Sequence, residues 1–248
     1  MKRKEEIKDF YEKFAQNLIR DKINPNPRHQ KIIGYLKKVF QKYNFKNALE
    51  IGCGIGIISE FISKSVPDVT GIDISGENIK FAKATVKKVK FHRSDFLEYP
   101  VKEKFDLITL FDVLEHLPKE THQNVFKRIT EISNPTTILI MTIPDPYYLS
   151  YVRKNNPEKL QVVDESIYLD VLVSIFNENK LEVLKFEKYG IDYENQYNFY
   201  LFGYRKEQYI LEMPFTDNKN IVLKIYRKIS NKIKQLTGNI RYGKYLKH

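Results

Sequence analysis

A carboxylate followed by three glycines at alternate positions, Glu50-x-Gly52-x-Gly54-x-Gly56, is the pattern in this chain best suited to bind a ligand. Glycines allow a sharp turn and let a ligand approach the backbone where a Cβ would intrude. The dinucleotide fingerprint G-x-G-x-x-G is not met, because position 57 is Ile57. A carboxylate just before the turn would repel a pyrophosphate, whereas it suits a ligand that carries an ammonium group.

The segments on either side explain how this loop is positioned. Residues 48–51 form the end of a short buried strand, and residues 57–65 have a helical pattern of apolar residues. A strand, a glycine turn and a helix place the loop at the carboxyl end of a parallel strand. Cys53, the single cysteine, is interpreted as a small packing residue of the loop, and it can form no internal disulfide, which fits a reducing cytoplasm.

Acidic residues follow the next two predicted strands. Asp73 ends the strand 69–72, where a carboxylate can accept hydrogen bonds from both hydroxyls of a ribose. Its alternative role is to cap the helix predicted over 76–87. Asp95 follows the strand 89–92 and could meet the amino group of adenine while Ile74 and Phe96 enclose the ring. The alternative for Asp95 is an ordinary turn residue.

A continuous apolar strand over 105–111 leads into Asp112-Val-Leu-Glu115-His116. The spacing i, i+3, i+4 would place the three polar side chains on one face if the segment is helical. His116 stands just past the strand at the mouth of the predicted site, which makes it the best candidate for a general base near neutral pH.

The order of elements predicts an α/β fold with a doubly wound, mainly parallel sheet, because strands and helices alternate from residue 47 to 186. Helices are predicted over 4–19 and 28–43 ahead of the sheet, where Tyr11, Arg28 and His29 are assigned to packing or to the surface in preference to a ligand. Further helices are predicted over 118–133 and 166–179, and strands over 137–143, 181–186 and 198–204. Residues 147–165 are predicted to be irregular, with Tyr147, Tyr148 and Tyr151 available to line a pocket.

The net charge of +11 over 248 residues is concentrated at one end. Residues 218–248 contain nine Lys and Arg and no Asp or Glu, which leaves only +2 on the rest of the chain. Apolar residues recur at helical spacing in this tail, at Val222, Tyr226, Ile229, Ile233, Leu236 and Ile240. The pattern predicts a basic amphipathic helix that either packs on the protein or binds an anionic membrane surface. Membrane binding by the tail would make the protein a peripheral membrane protein. The first nine residues lack the apolar region of a signal peptide, so we expect a cytoplasmic location.

Over residues 47–205 the motif order resembles the class I S-adenosylmethionine (SAM) methyltransferases, in the broad group that includes ubiquinone- and menaquinone-biosynthesis enzymes. The resemblance implies a seven-stranded sheet whose last strand is antiparallel. It implies that Glu50 and the loop of Gly52, Cys53, Gly54 and Gly56 hold the methionine end of SAM. It also implies that Asp73 binds the ribose, that Ile74 and Phe96 sandwich the adenine, that Asp95 meets its amino group, and that Phe111 supplies backbone near the sulfonium.

The same resemblance bears on catalysis. His116 is the candidate base, with Glu115 beside it; the alternative is that the motif Phe-Asp-Val-Leu-Glu-His-Leu, common in this family, is retained for helix capping and packing. In some relatives a similar acid-x-x-Glu-His cluster binds a divalent metal, but this chain lacks an obvious further histidine and no metal is assigned. The motif Asp/Asn-Pro-Pro-Tyr/Phe of base-amino methyltransferases is absent after the fourth strand, which argues against methylation of exocyclic base nitrogens.

The sequence therefore predicts SAM-dependent O-methylation of a small or lipid-linked acceptor, such as a quinone precursor or a glycan. Alternatives are ribose 2′-O methylation of RNA anchored by the basic tail, with nucleic acid the less favoured partner, or SAM binding without turnover. The expected organisation is a helical flank over 1–46, a methyltransferase domain over 47–210 and a tail over 211–248. The oligomeric state stays open.

Overall fold

The computed structural model describes Phe10, Glu12, Leu18, Asp21 and residues 26–100, 103–161 and 163–205. In these residues one sheet contains seven strands in the order β3-β2-β1-β4-β5-β7-β6. The strands are β1 (Asn47–Ile51), β2 (Asp68–Asp73), β3 (Lys90–Arg93), β4 (Phe105–Phe111), β5 (Ser133–Pro144), β6 (Leu181–Tyr189) and β7 (Tyr197–Tyr204).

The first five strands pair in parallel, and β7 pairs antiparallel with both β5 and β6. The predicted α/β fold with a seven-stranded sheet and an antiparallel last strand is confirmed. The chain order reverses on either side of β1 and β4, so the carboxyl ends of these two neighbours form a topological switch point, where ligands of open α/β sheets bind.

Six helices cover the sheet within the described residues. They are α1 (Pro27–Lys42), α2 (Ile57–Ile62), α3 (Gly76–Thr85), α4 (Lys119–Glu131), α5 (Pro146–Asn155) and α6 (Leu169–Glu178), with 3₁₀ turns at Leu114–His116 and Pro157–Lys159. The prediction that residues 147–165 are irregular is wrong, because they contain most of α5. Pro146 occupies the first turn of α5, where proline is tolerated, and Asp145 caps the helix by accepting from the backbone N–H of Tyr147 at 2.9 Å.

Apolar side chains fill both faces of the sheet. On one face, β1 and β4 contribute Leu49 and Ile108 to a core closed by helices α4 and α6. On the other face, Ala48 and Leu107 pack with residues of α1 and α2. Successive residues of one strand therefore serve opposite cores, as expected for a parallel sheet covered on both sides.

Most of the predicted helix 4–19 and all of the predicted tail helix lie outside the described residues. The described residues belong to one compact unit that ends at Arg205. None of the described helices is long and apolar enough to cross a membrane. The proposed domain boundaries stay predictions.

Gly56 and Gly34 offer a matched test of how the loop constrains the fold. Gly56 precedes α2 with φ = 82°, and a Cβ there would lie 2.6 Å from Phe91 Cζ, whereas a Cβ on Gly34 would meet no atom within 4 Å. Gly56→Ala should lower the free energy of unfolding by more than about 1–2 kcal/mol, the cost of the left-handed backbone alone. Gly34→Ala, inside α1, should raise it by about 0.5–1 kcal/mol. Urea unfolding of both variants measures this, and a Gly56→Ala protein as stable as wild type would contradict it.

Candidate functional site

The glycine loop joins β1 to α2 and is fastened to the end of β2. Gly52, Gly54 and Gly56 all have positive φ, at 70°, 53° and 82°. A Cβ on Gly52 would overlap the side chain of Val113, which follows β4. The backbone N–H of Gly54 donates to Asp73 Oδ2 at 2.8 Å. The loop is therefore hydrogen-bonded to the end of β2 and lies close to the segment that follows β4.

Asp73 contacts the start of α3, which was its alternative role in the sequence, and it also holds the glycine loop, while its ribose role stays a prediction. Its Oδ1 accepts from the backbone N–H of Ser75 at 2.8 Å and from Asn78 Nδ2 at 3.2 Å, at the start of α3. Its Oδ2 holds Gly54. Burial raises the pKa of Asp73, although these hydrogen bonds act in the opposite direction. The carboxylate thus organises both the helix start and the glycine loop.

Glu50 is a buried carboxyl group at the end of β1, with only 3% of its surface exposed. Ser59 Oγ, on α2, donates a short hydrogen bond to Glu50 Oε2. Burial raises the pKa of Glu50 to about 8. Hydrogen bonds from the side chain and the backbone of Ser59 favour the charged form of Glu50 but do not outweigh burial, so a cation in the adjoining space would stabilise that form further.

Two cavities meet at the carboxyl ends of β1, β2 and β4. The first, of about 110 Å³, adjoins the glycine loop and is lined by charged side chains together with Cys53 and Phe111. The second, of about 240 Å³, is lined mainly by apolar side chains. Four residues line both cavities: Gly52, Asp73, Asp112 and His116. Together the cavities form one bent site with a charged end and an apolar end.

Ile74, Asp95 and Phe96 line the apolar cavity, as the sequence suggested. Phe96 is buried in the core beneath it, and Ile74 is half-buried. Asp95 Oδ1 accepts from the backbone N–H of Leu97 at 2.9 Å, so this carboxylate also serves as a turn residue. The assignment of these three side chains to an adenine ring stays a prediction.

Arg28 lines the charged cavity, contrary to its assignment to packing or to the surface. It stands in the first turn of α1, and its Nε lies 3.2 Å from Asp112 Oδ2. Burial alone would lower the pKa of Arg28, but Asp112 and Tyr197 outweigh it and raise this pKa. A cation in the first turn of a helix interacts unfavourably with the helix dipole. The position of Arg28 there was therefore a signal of a role other than packing, and the sequence analysis missed it. His29, also assigned to packing or to the surface, lines the same cavity.

Asp112, Glu115 and His116 do not share one helical face. Asp112 has φ = 54°, and only Leu114–His116 form a 3₁₀ turn, so the α-helical arrangement that the spacing assumed is not formed. Asp112 pairs with Arg28 and accepts from Thr142 Oγ1 at 2.9 Å. Glu115 is 1% exposed, and burial raises its pKa. Across residues 26–100, 103–161 and 163–205, no group of His, Cys, Asp or Glu is arranged to hold a metal ion.

His116 is oriented by the segment that precedes α6. Its Nδ1 lies 2.7 Å from the carbonyl oxygen of Val163 and 3.2 Å from Asp164 Oδ1. Its Nε2 lies 3.8 Å from Glu115 Oε1. Burial alone would lower the pKa of His116, but Glu115, Asp164 and the Val163 carbonyl outweigh burial and raise it.

Glu12, which the sequence did not single out, joins the N-terminal flank to the site. Its carboxylate accepts from the backbone N–H of Gly76 at 2.8 Å and of Glu77 at 2.9 Å, and from Ser75 Oγ at 3.0 Å. These bonds lower the pKa of Glu12 although burial acts to raise it. Leu18, from the same flank, lines the charged cavity. In a charged amphipathic segment Glu12 resembles any solvated acid, so only the fold reveals its partner.

Glu50→Gln should stabilise the protein that holds no ligand. The folded-state pKa of Glu50 is raised from 4.5 to about 8. Between these pH values the carboxyl is ionised in the unfolded chain but protonated in the folded protein, which lowers the free energy of unfolding. At pH 7.5 we expect a gain of at least about 1 kcal/mol, or about 2–4 °C in Tm. At pH 4 the carboxyl is protonated in both states and the gain should vanish. Calorimetry on Glu50→Gln and on the exposed control Glu182→Gln measures this, and equal Tm values at pH 7.5 would contradict it.

Comparisons with known proteins agree with this geometry. The family model described as a methyltransferase domain matches residues 2–194. A ubiquinone biosynthesis O-methyltransferase of Hydrogenovibrio crunogenus is 34% identical over 87 residues, which cover 33% of this chain and 36% of that protein. A putative methyltransferase, 235L, of Invertebrate iridescent virus 6 is 29% identical over 160 residues, 60% of each chain. The chain thus spans about a third of the length of two of the ubiquinone biosynthesis enzymes that it matches.

Among solved structures, the N-methyltransferase NodS of Bradyrhizobium japonicum in complex with S-adenosyl-L-homocysteine (SAH) superposes with a TM-score of 0.67 at 18% identity, over 81% of this chain and 100% of NodS. That likeness shows the shared fold. The family model covers most of the chain, the sheet order and antiparallel last strand are those expected for the group, and the glycine loop lies at the switch point. The chain therefore belongs to the class I SAM-dependent methyltransferases.

Proposed function

We propose that this enzyme methylates an oxygen of a small or lipid-linked acceptor. The observation that carries the proposal is the position of His116, which lines both cavities and is oriented by Asp164. A hydroxyl acceptor must lose a proton as it is methylated, and a fixed imidazole is suited to accept it. The name of the Hydrogenovibrio relative, a ubiquinone biosynthesis O-methyltransferase, supports oxygen as the acceptor atom.

The two cavities fit SAM at both of its ends. The charged cavity contains a buried carboxyl, Glu50, and a buried guanidinium, Arg28, which suit the ammonium and the carboxylate of an amino acid. The apolar cavity, with Ile74 and Phe96, suits a purine ring. Asp73 stands where the cavities meet and suits the ribose hydroxyls. The glycines keep Cβ atoms away from this space.

The main contribution of the protein to the reaction is to position the acceptor and the methyl group. When bound, SAM supplies a methyl group that is already electrophilic because its sulfur carries a positive charge. Asp112 and Arg28 form an ion pair at the rim of the charged cavity and fix the end of β4 against α1. His116 accepts the acceptor's proton at its neutral ring nitrogen, and Asp164 stabilises the resulting imidazolium. Holding the acceptor in line with the methyl group accounts for the rest of the expected rate enhancement.

The lipid-linked acceptor and the membrane attachment rest on the basic tail, which lies outside the described residues, and the cytoplasmic location rests on other features of the sequence alone. RNA 2′-O methylation rests on the same tail. SAM binding without turnover is disfavoured by the buried, oriented His116. We therefore place O-methylation of a non-nucleic-acid acceptor first.

Asp73→Asn tests the cofactor assignment. Losing a charged acceptor for the ribose should weaken SAH binding about tenfold to a hundredfold, since hydrogen bonds to charged groups contribute roughly 1.5–3 kcal/mol. The control is Asp68→Asn at the opposite end of β2, which should leave the affinity unchanged because Asp68 pairs with Lys90 at the surface. Isothermal calorimetry with SAH, SAM and NAD measures this. A wild-type protein that binds NAD but neither SAM nor SAH would show the proposal to be wrong.

The pH dependence tests His116 as the base. Only the neutral imidazole accepts a proton, so activity should rise with pH, with a midpoint above the ordinary value of about 6.5 because Glu115 and Asp164 raise the pKa of His116. Asp164→Asn should move this midpoint to lower pH. His116→Ala should slow methyl transfer much more than it weakens SAH binding, and the surface variant His92→Ala should do neither.

NMR titration of the His116 ring in the SAH complex gives the pKa independently of any acceptor. Methyl transfer from labelled SAM to acceptors found in a cell lysate gives the activity. Equal turnover by His116→Ala and wild type across the pH series would remove His116 from the mechanism.

A further inference from the structure

Glu12 binds the start of α3 with both oxygens of its carboxylate. Oε1 accepts from the backbone N–H of Gly76 at 2.8 Å, and Oε2 accepts from the backbone N–H of Glu77 at 2.9 Å and from Ser75 Oγ at 3.0 Å. Arg93 Nη2, at the end of β3, donates to Oε1 at 3.3 Å. A side chain from the N-terminal flank thus satisfies two of the first N–H groups of α3, which have no partner within the helix.

The helix start that Glu12 binds also holds Asp73. Ser75 caps α3 by accepting from the backbone N–H of Asn78, and its own backbone N–H donates to Asp73 Oδ1 at 2.8 Å. Asn78 Nδ2 donates to the same oxygen at 3.2 Å. Ser75 and Asn78 are both buried, so they have little room to move independently of each other. A shift of this helix start would therefore also move the Asp73 carboxylate.

The N-terminal flank contacts the glycine loop as well. Leu18 lines the charged cavity, and a Cβ on Gly54 would lie 3.4 Å from Leu18 Cδ1, so this side chain lies against the loop. The backbone N–H of Gly54 donates to Asp73 Oδ2 at 2.8 Å. The flank therefore touches both segments that Asp73 joins: the glycine loop through Leu18 and the start of α3 through Glu12.

The contacts of Glu12 depend on its negative charge. Burial acts to raise the pKa of Glu12, but the hydrogen bonds from Glu77, Gly76 and Ser75 outweigh burial and lower this pKa, so the carboxylate is ionised at neutral pH. An ionised acceptor makes stronger hydrogen bonds than a neutral one, and the dipole of α3 also favours a negative charge at its start. All of these interactions are weakened together when the carboxylate is replaced by an amide.

We infer that Glu12 is a positioning residue for the cofactor. By fixing the start of α3 it holds the Asp73 carboxylate in the orientation that binds the ribose, and by anchoring the flank it holds Leu18 against the glycine loop. This rests on the proposed function, in which Asp73 binds the ribose of SAM. Glu12 itself lines neither of the two cavities, so its effect on the cofactor is transmitted through Ser75, Asn78 and Leu18.

Glu12→Gln tests the inference with SAH as the probe. Glutamine keeps the length of the side chain but replaces one acceptor oxygen with an NH₂ donor, which would face other donors. The variant should bind SAH about three- to tenfold more weakly, within the range of couplings between members of one hydrogen-bond network. We expect most of the change in the release rate. Isothermal calorimetry gives the dissociation constant, and surface plasmon resonance on the immobilised protein gives the release rate.

The matched control is Glu77→Gln, which makes the same change of charge at the same helix start. The Glu77 side chain is 61% exposed, and its carboxylate lies 4.0 Å from Lys80 Nζ at the surface. Losing a negative charge near the start of α3 destabilises the helix through its dipole, so both variants should have a lower Tm than wild type. Glu77→Gln should nevertheless bind SAH as wild type does, which separates the positioning of Asp73 from a general loss of helix stability.

A double-mutant cycle with Leu18→Ala tests whether the two contacts of the flank act together. Leu18→Ala alone should speed up SAH release, because it removes a side chain that lies against the glycine loop. In the Glu12→Gln background the same change should have a smaller effect, since the flank is no longer anchored at α3. The cycle therefore predicts a combined effect on the release rate that is smaller than the product of the two single effects.

Three results would overturn the inference: Glu12→Gln binds and releases SAH as wild type does, Glu77→Gln weakens SAH binding as much as Glu12→Gln does, or the effects of Glu12→Gln and Leu18→Ala are independent. Each leaves the cofactor assignment intact, because wild type still binds SAH in the same experiment. A wild type that fails to bind SAH would instead reject the proposed function and the inference together.

Discussion

The bond from the Gly54 N–H to Asp73 is the interaction on which the site depends. It joins the loop after β1 to the end of β2, and the other oxygen of the same carboxylate fixes the start of α3 through Ser75. The loop has left-handed backbone at three glycines, which adopt it without strain, so a hydrogen bond to a neighbouring strand is what fixes its position. Because Asp73 uses its oxygens for the chain's own N–H groups, it is oriented before any ligand arrives, and this preorganisation favours binding.

Several charged groups are buried in and beside the site. Glu50 lines the charged cavity and is hydrogen-bonded to Ser59, and Glu115 lies beside His116 with its carboxyl buried. Arg28 is paired with Asp112 at 3.2 Å. Burying such groups costs stability, and a sequence selected for stability alone would replace them by apolar residues. These groups lower stability yet are concentrated around one bent site, which indicates that they serve ligand binding.

The sequence predicted the fold because its signals were local and repeated. Alternating strands and helices, the glycine loop and the acid at the end of β2 each have a simple pattern, and all agree with one architecture. The helix that follows the last parallel strand, β5, was harder to predict. The helix α5 was missed because Pro144 and Pro146 resemble breakers, although Pro146 stands in the first turn, where its missing N–H costs nothing.

The side chains that the sequence missed are those whose partners are distant along the chain. Glu12 meets the start of α3, more than sixty residues away, and His116 meets Asp164 across 48 positions. Arg28 and Asp112 are separated by 84 positions. Spacing along a sequence reports neighbours within one helix or strand, whereas these pairs exist only once the sheet has brought different loops to one edge. The spacing of Asp112, Glu115 and His116 misled for the same reason, since a 3₁₀ turn and a left-handed residue replaced the helix it assumed.

These long-range pairs also explain how one fold can serve different acceptors. The residues that suit SAM come from the ends of β1 and β2, which the core holds on both faces. The first turn of α1 also contributes to the site, because Arg28 pairs with Asp112 at the end of β4. Segments outside the core of the sheet vary more readily than the strands, so acceptor choice is expected to reside in them.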